Sequence, residues 1–116
     1  KINQNFCYLS GEDGTALAYL AQGGDGCISV TANVAPKLCS SMHEAWKKND
    51  ISLAQNINLK LSKLHHALFI ESSPGPVKYA AHLIGLCSPN TRLPLSEISN
   101  DTKKIVKKCL SDLELI

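Results

Sequence analysis

The chain reads as α/β, and as part of a larger α/β structure rather than a free-standing unit. Two short β-prone runs, Phe6-Cys7-Tyr8-Leu9 and Cys27-Ile28-Ser29-Val30, flank one stretch with helical apolar spacing. A helix crossing between two strands makes them parallel. From Pro36 onward every apolar repeat falls in steps of three and four, so only helices follow. The first run is continuously apolar rather than alternating, the pattern of a strand covered on both faces. Two such strands alone leave open edges and little cover, so they require neighbours supplied from elsewhere.

Each element has a local reason. Ser10-Gly11 closes the first strand, and Glu12 and Asp13 stand where the positive end of a helix dipole favours acidic side chains. Ala16, Leu17 and Leu20 give that helix one buried stripe, and Gly23-Gly24-Asp25-Gly26 breaks it before the second strand. The second strand ends in Thr31-Ala32-Asn33. Leu38, Met42, Ala45 and Trp46 mark the next helix, which Asn49-Asp50 ends. Ala54, Ile57, Leu61, Leu64 and Leu68 form the clearest amphipathic stripe of the chain. Ser73-Pro74 reads as a cap followed by proline in the first turn of a helix carrying Val77, Ala80, Ala81 and Ile84, which Gly85 stops. A proline-punctuated connection from Pro89 to Leu95 leads to a last helix, announced by Asn100 or Asp101, with Ile105, Val106, Cys109, Leu110 and Leu113 on its apolar side.

Composition limits the function classes. With 116 residues, 44% hydrophobic, 19% charged and a net charge of +2, the sequence matches an ordinary soluble globular chain of one small domain. Its apolar runs are too short for a transmembrane span, and no basic-then-apolar leader opens it, so no membrane partner is expected. Few aromatics argue against a carbohydrate or single-stranded nucleic-acid platform. The five cysteines, Cys7, Cys27, Cys39, Cys87 and Cys109, are odd in number and lack a C-x-x-C pair. Free, mostly buried thiols in a reducing cytoplasm fit them best.

The candidate motifs carry little chemistry. Gly11-Glu12-Asp13-Gly14 occupies the position of a phosphate-binding turn but lacks the third glycine of a dinucleotide fingerprint and the lysine of a P-loop, and its acids would repel phosphate. Lys103, Lys104, Lys107 and Lys108 share their helix with Asp101 and Asp112, which makes a solvated face and not a nucleic-acid patch. His43, His65, His66 and His82 have no metal-ligand spacing, and His65 lies near an apolar stripe where it can hydrogen-bond within a helix interface. Ser10 is in no nucleophile elbow. Lys37 and Lys78, each near the start of a helix, read as structural rather than as Schiff-base lysines, which require burial or a neighbouring cation to lower their pKa. No cofactor, metal or catalytic side chain is expected within this chain. In barrel enzymes the site gathers at the C-terminal strand ends, here Ser10-Gly11 and Ile28 to Asn33.

Those strand ends resemble a known family. Leu9-Ser10-Gly11-Glu12-Asp13 and Gly24-Asp25-Gly26-Cys27-Ile28-Ser29-Val30-Thr31-Ala32-Asn33-Val34-Ala35-Pro36 are similar to the end of the 4-hydroxy-tetrahydrodipicolinate synthase (dihydrodipicolinate synthase) family. Leu64-His65-His66-Ala67-Leu68-Phe69-Ile70-Glu71, then Pro74-Gly75-Pro76-Val77-Lys78, Leu86 and Thr91-Arg92-Leu93-Pro94-Leu95, follow in the family's order and spacing. One departure is Gly75, where the family usually has isoleucine.

The resemblance implies the C-terminal part of a (β/α)8 TIM barrel: residues 1–48 as the final two β/α units and 49–116 as a helical C-terminal extension. It further implies a cytoplasmic Schiff-base lyase that condenses pyruvate with L-aspartate-4-semialdehyde in lysine (diaminopimelate) biosynthesis. The imine-forming lysine and the proton-relay residues would lie in the N-terminal part of the same barrel, leaving this segment alone inactive. Two substrate-binding positions carry over: Ile28, whose backbone would lie against bound pyruvate, and Gly11, which lets backbone approach the same pocket. A homo-oligomer, built as a dimer of dimers, is implied with Ala18, Ala21 and Gln22 in a contact region. Another pyruvate-dependent aldolase of the superfamily, acting on a sugar acid, and a non-enzymatic helical interaction module are the competing readings.

Overall fold

The computed structural model describes residues 5–116; residues 1–4, part of the first unit expected over 1–48, lie outside the described residues. Strands β1 (Leu9–Ser10) and β2 (Gly26–Cys27) pair in parallel, Leu9 opposite Gly26 and Ser10 opposite Cys27. Between them a single 3-10 turn, Asp13–Thr15, runs into helix α1 (Ala16–Ala21). A second 3-10 turn, Thr31–Asn33, leads to α2 (Pro36–Lys47), followed by α3 (Ile51–Ala67), α4 (Gly75–Leu83) and α5 (Asn100–Asp112).

The strands are shorter than the apolar runs suggested and shifted along the chain. The Tyr8 carbonyl accepts from the Asp25 amide at 2.8 Å and the Ser10 carbonyl from the Ile28 amide at 2.8 Å, which bounds the ladder. Beyond Ile28 the amides of Val30 and Thr31 turn toward a side chain, so the second strand cannot continue to Val30. Nor are the runs buried: Phe6 is 62%, Leu9 44% and Ile28 70% exposed. Among the described residues no third strand covers them.

Gly24 makes the return from α1 possible. A β-carbon there would stand 2.2 Å from the Tyr19 ring and 2.9 Å from its backbone oxygen. Gly23, at φ +91°, reverses the chain in the left-handed region that glycine enters without cost from a side chain.

Helix α3 is the spine. Its stripe Ala54, Ile57, Leu61 and Leu64, with Leu68 just beyond, is buried against α2 on one side and α5 on the other, and the fully enclosed Leu61, Leu64, Leu68, Val106 and Leu110 sit at the centre of the core. Asp50 caps α3 by accepting from the Leu53 amide at 3.0 Å. Asn49, at φ +61°, makes the sharp bend from α2.

Three expectations need correction. Ser73 does not cap α4; Pro74 takes the N-cap position without a side-chain bond, and Pro76 supplies the proline of the first turn. All five cysteines are free, but only Cys39 and Cys109 are buried; Cys27 is half-buried and Cys7 and Cys87 are exposed. Ile105 faces outward at 43% exposure, because α5 buries Thr102, Val106, Cys109 and Leu110 instead.

The Gly75 departure has a packing explanation. A β-carbon at 75 would stand 2.8 Å from Cγ2 of Ile98, a residue only 7% exposed. The incoming connection thus fills with Ile98 the space that a side chain on α4 would take.

Candidate active site

The two strand ends meet as the sequence implied. Ile28 donates its N–H to the Ser10 carbonyl, which places its backbone beside Gly11 at the C-terminal edge of the sheet. Gly11 is exposed, and a β-carbon added to it would find nothing within 4 Å. Packing among the described residues therefore gives no reason for glycine at this position, and the Ile28 side chain is likewise open.

Beneath this open edge lies a buried polar knot. Asp13 is only 5% exposed, yet its carboxylate has three donors: the Val30 amide at 2.8 Å and the Thr31 amide at 3.1 Å, both on Oδ2, and the Ser29 hydroxyl on Oδ1. Ser29 Oγ in turn accepts from the Ala32 amide at 2.8 Å. A buried carboxylate is tolerable only when its lone pairs are met this way. On the other strand end, Ser10 folds its hydroxyl onto the Glu12 amide at 3.1 Å, and Glu12 accepts from the Gly14 amide at 2.9 Å.

The knot continues into the helices. Thr31, fully buried, holds Oγ1 2.7 Å from Nδ1 of His65 on α3. Burial lowers the His65 pKa below its ordinary 6.5, against the opposing pull of Asp13 and Glu12. The ring is therefore neutral near neutral pH, and its Nε2 has no hydrogen-bond partner among the described residues.

From sequence the Asp13 charge reads only as a complement to the helix dipole; the clamp is visible only in the fold. No local pattern announces it, because its donors come from residues sixteen to eighteen positions later. For His65 an interface hydrogen bond was expected, and its partner proves to be the strand-end loop.

Among the described residues, no thiolate nucleophile accompanies this cluster. Burial raises the Cys27 thiol, with Asp13 and Glu12 adding to the effect, and pushes Cys39 up to about 11, so both remain protonated. Lys37 lies exposed in the first turn of α2 and Lys78 half-buried in α4. His43 is held below its usual pKa by burial and then by Lys47, while His66 and His82 are exposed. Among the described residues no three histidine, cysteine, aspartate or glutamate side chains gather as metal ligands, and no helix is long and apolar enough to cross a membrane. What the cluster can do is hold backbone groups of two strand ends in a fixed relation around an open space.

Comparison with known proteins agrees along nearly the whole chain. The model of the dihydrodipicolinate synthetase family matches residues 1–113. The 4-hydroxy-tetrahydrodipicolinate synthase of Rhodospirillum centenum is 54% identical over 110 residues, covering 95% of this chain and 38% of that protein. The crystal structure of dihydrodipicolinate synthase from Thermotoga maritima superposes with a TM-score of 0.96 at 34% identity, covering 98% of this chain and 39% of the other. That of the chloride-inhibited enzyme from Acinetobacter baumannii, complexed with pyruvate, gives a TM-score of 0.89 at 39% identity, with coverage of 96% and 38%. The chain thus spans about 38% of the length of the curated relative it matches. Its fold is the C-terminal part of a (β/α)8 barrel, the last two parallel strands with their helices, plus a helical C-terminal extension. With sequence and fold in accord over this length, the chain belongs to the dihydrodipicolinate synthetase family.

Proposed function

We propose that this chain is the C-terminal portion of a 4-hydroxy-tetrahydrodipicolinate synthase and that it closes the barrel around a pyruvate site. In the intact protein, acting in the cytoplasm, a lysine supplied by the rest of the barrel forms a Schiff base with pyruvate, which then condenses with L-aspartate-4-semialdehyde. Gly11 and Ile28 line that pocket with main chain: glycine leaves room for close approach, and isoleucine adds an apolar wall. The observation that carries this reading is their juxtaposition at the open C-terminal edge of two parallel strands, in a chain 54% identical to a synthase.

Residues 1–48 serve as the barrel part and 49–116 as the extension, a division supported by the bend at Asn49 and the fresh cap at Asp50. Ala18, Ala21 and Gln22, all exposed on or at the end of α1, suit the contact between dimers of a tetramer.

Borohydride trapping tests the assignment. Intact protein treated with pyruvate and borohydride gains a stable adduct on a lysine outside this chain, and the 116-residue chain alone gains none. An adduct on Lys37 or Lys78, or none on the intact protein, overturns it. Condensation with the semialdehyde, and not with sugar-acid aldehydes, separates this enzyme from its superfamily relatives.

A further inference from the structure

The buried knot under the strand ends has no direct part in imine chemistry, yet it joins three segments that are far apart in sequence. Asp13 belongs to the turn after β1, its amide donors to the loop after β2, and His65 to α3. Ile28 stands two residues before the first of those amides. Its own N–H is already taken by Ser10, so the direction of its carbonyl depends on where the following residues are held. Among the described residues, the side chain that receives the Val30 and Thr31 amides is Asp13.

We infer that Asp13 is a positioning residue for the pyruvate pocket, clamping the 29–31 loop so that the Ile28 main chain faces the substrate, with Thr31 and His65 fastening the same loop to the helical extension. The inference rests on the functional reading above. It explains why a carboxylate is buried here: two successive amides and a hydroxyl converge on it, and charge-assisted bonds are about twice as strong as neutral ones. It also assigns the extension a task in catalysis, since the Thr31–His65 bond is a direct tie between α3 and a pocket loop.

The test compares Asp13→Ala, Asp13→Asn and Thr31→Val with Glu71→Gln, a change in the α3–α4 connection where Glu71 holds the Ser99 cap of α5, all in the intact protein. Asp13→Ala should raise KM for pyruvate about tenfold or more, the size of loss expected when a binding group is misplaced by a fraction of an ångström. The KM for the semialdehyde should change little. Asp13→Asn keeps one acceptor oxygen and should recover part of the loss; Thr31→Val should fall between it and wild type. Deuterium exchange over 28–33 should quicken in the Asp13 variants and not in Glu71→Gln, even though all of them lower the melting temperature. If Asp13→Ala does not accumulate, Asp13→Asn decides by the same two readouts. Unchanged pyruvate KM, or unchanged exchange over 28–33, overturns the positioning role. Failure of the wild-type protein to trap pyruvate instead overturns the functional reading, and the exchange result still decides whether Asp13 clamps the loop.

Discussion

Glycines 11 and 24 sit at opposite ends of one βαβ unit and place opposite demands on a side chain. At Gly24 a methyl group would collide with the Tyr19 ring and, less escapably, with the Tyr19 carbonyl at 2.9 Å. The ring can swing away; the backbone oxygen moves only if the turn moves. Gly24→Ala should therefore cost about 1–3 kcal/mol in urea unfolding of the intact protein, in the range of other overpacking changes. At Gly11 nothing lies within 4 Å. Gly11→Ala should stay within roughly 0.5 kcal/mol of wild type, and its damage should appear instead in slower borohydride trapping of pyruvate. A Gly11 variant that unfolds easily yet traps normally would make this glycine structural and remove it from the pocket.

At the level of the element, α5 shows how a helix start is built from parts that are distant in sequence. Ser99 accepts from the Thr102 amide at 3.2 Å, and its own amide and hydroxyl donate to Glu71 at 2.9 and 2.8 Å. Hydrogen bonding from Thr102 and then Ser99 holds the Glu71 carboxyl below its usual 4.5. Because the folded pKa is the lower one, the stabilisation is complete above the unfolded value and fades as pH falls through the folded one. Ser99→Ala should cost about 1 kcal/mol at neutral pH, the usual worth of an N-cap. In Glu71→Gln the loss of stability on acidification below pH 4.5 should be shallower than in wild type; identical acid limbs would dismiss the Glu71 contribution.

The same contrast explains what was legible in the sequence. The α3 stripe, the glycine break after α1 and the proline-marked connection depend on neighbours within a few residues, and all appear in the structure. Asp13, whose partners are contributed by another strand end, depends on tertiary geometry that no local pattern encodes, whereas Ser73 yields the cap position to a helix start shifted by one residue, to Pro74. Placing Gly11 and Ile28 at the strand ends requires only the βαβ rule, whereas the pocket role proposed for them rests on family resemblance.

For the molecule as a whole, the decisive feature is a set of apolar side chains in and beside the two-stranded sheet that the described residues leave exposed. Phe6, Leu9 and Ile28 are 62%, 44% and 70% exposed, and the chain matches 38% of its Rhodospirillum centenum relative. Burying one such side chain fully is worth about 1.5–3 kcal/mol, so the remaining barrel gains several-fold more by docking here than one contact provides. Mixing this chain with the complementary portion of that relative should yield a stoichiometric complex, with loss of the hydrophobic-dye binding expected of the chain alone. Ile28→Val removes one methylene and should weaken assembly about two- to tenfold, at roughly 0.5–1.4 kcal/mol. Ile28→Asp puts a carboxylate into the same contact and should weaken it by a factor of about ten or more, since 1.4 kcal/mol already equals one decade. Sedimentation titrations distinguish these ranks. Equal affinity for all three versions would mean that the Ile28 side chain takes no part in docking, which would leave only its main chain to serve the strand-end pocket.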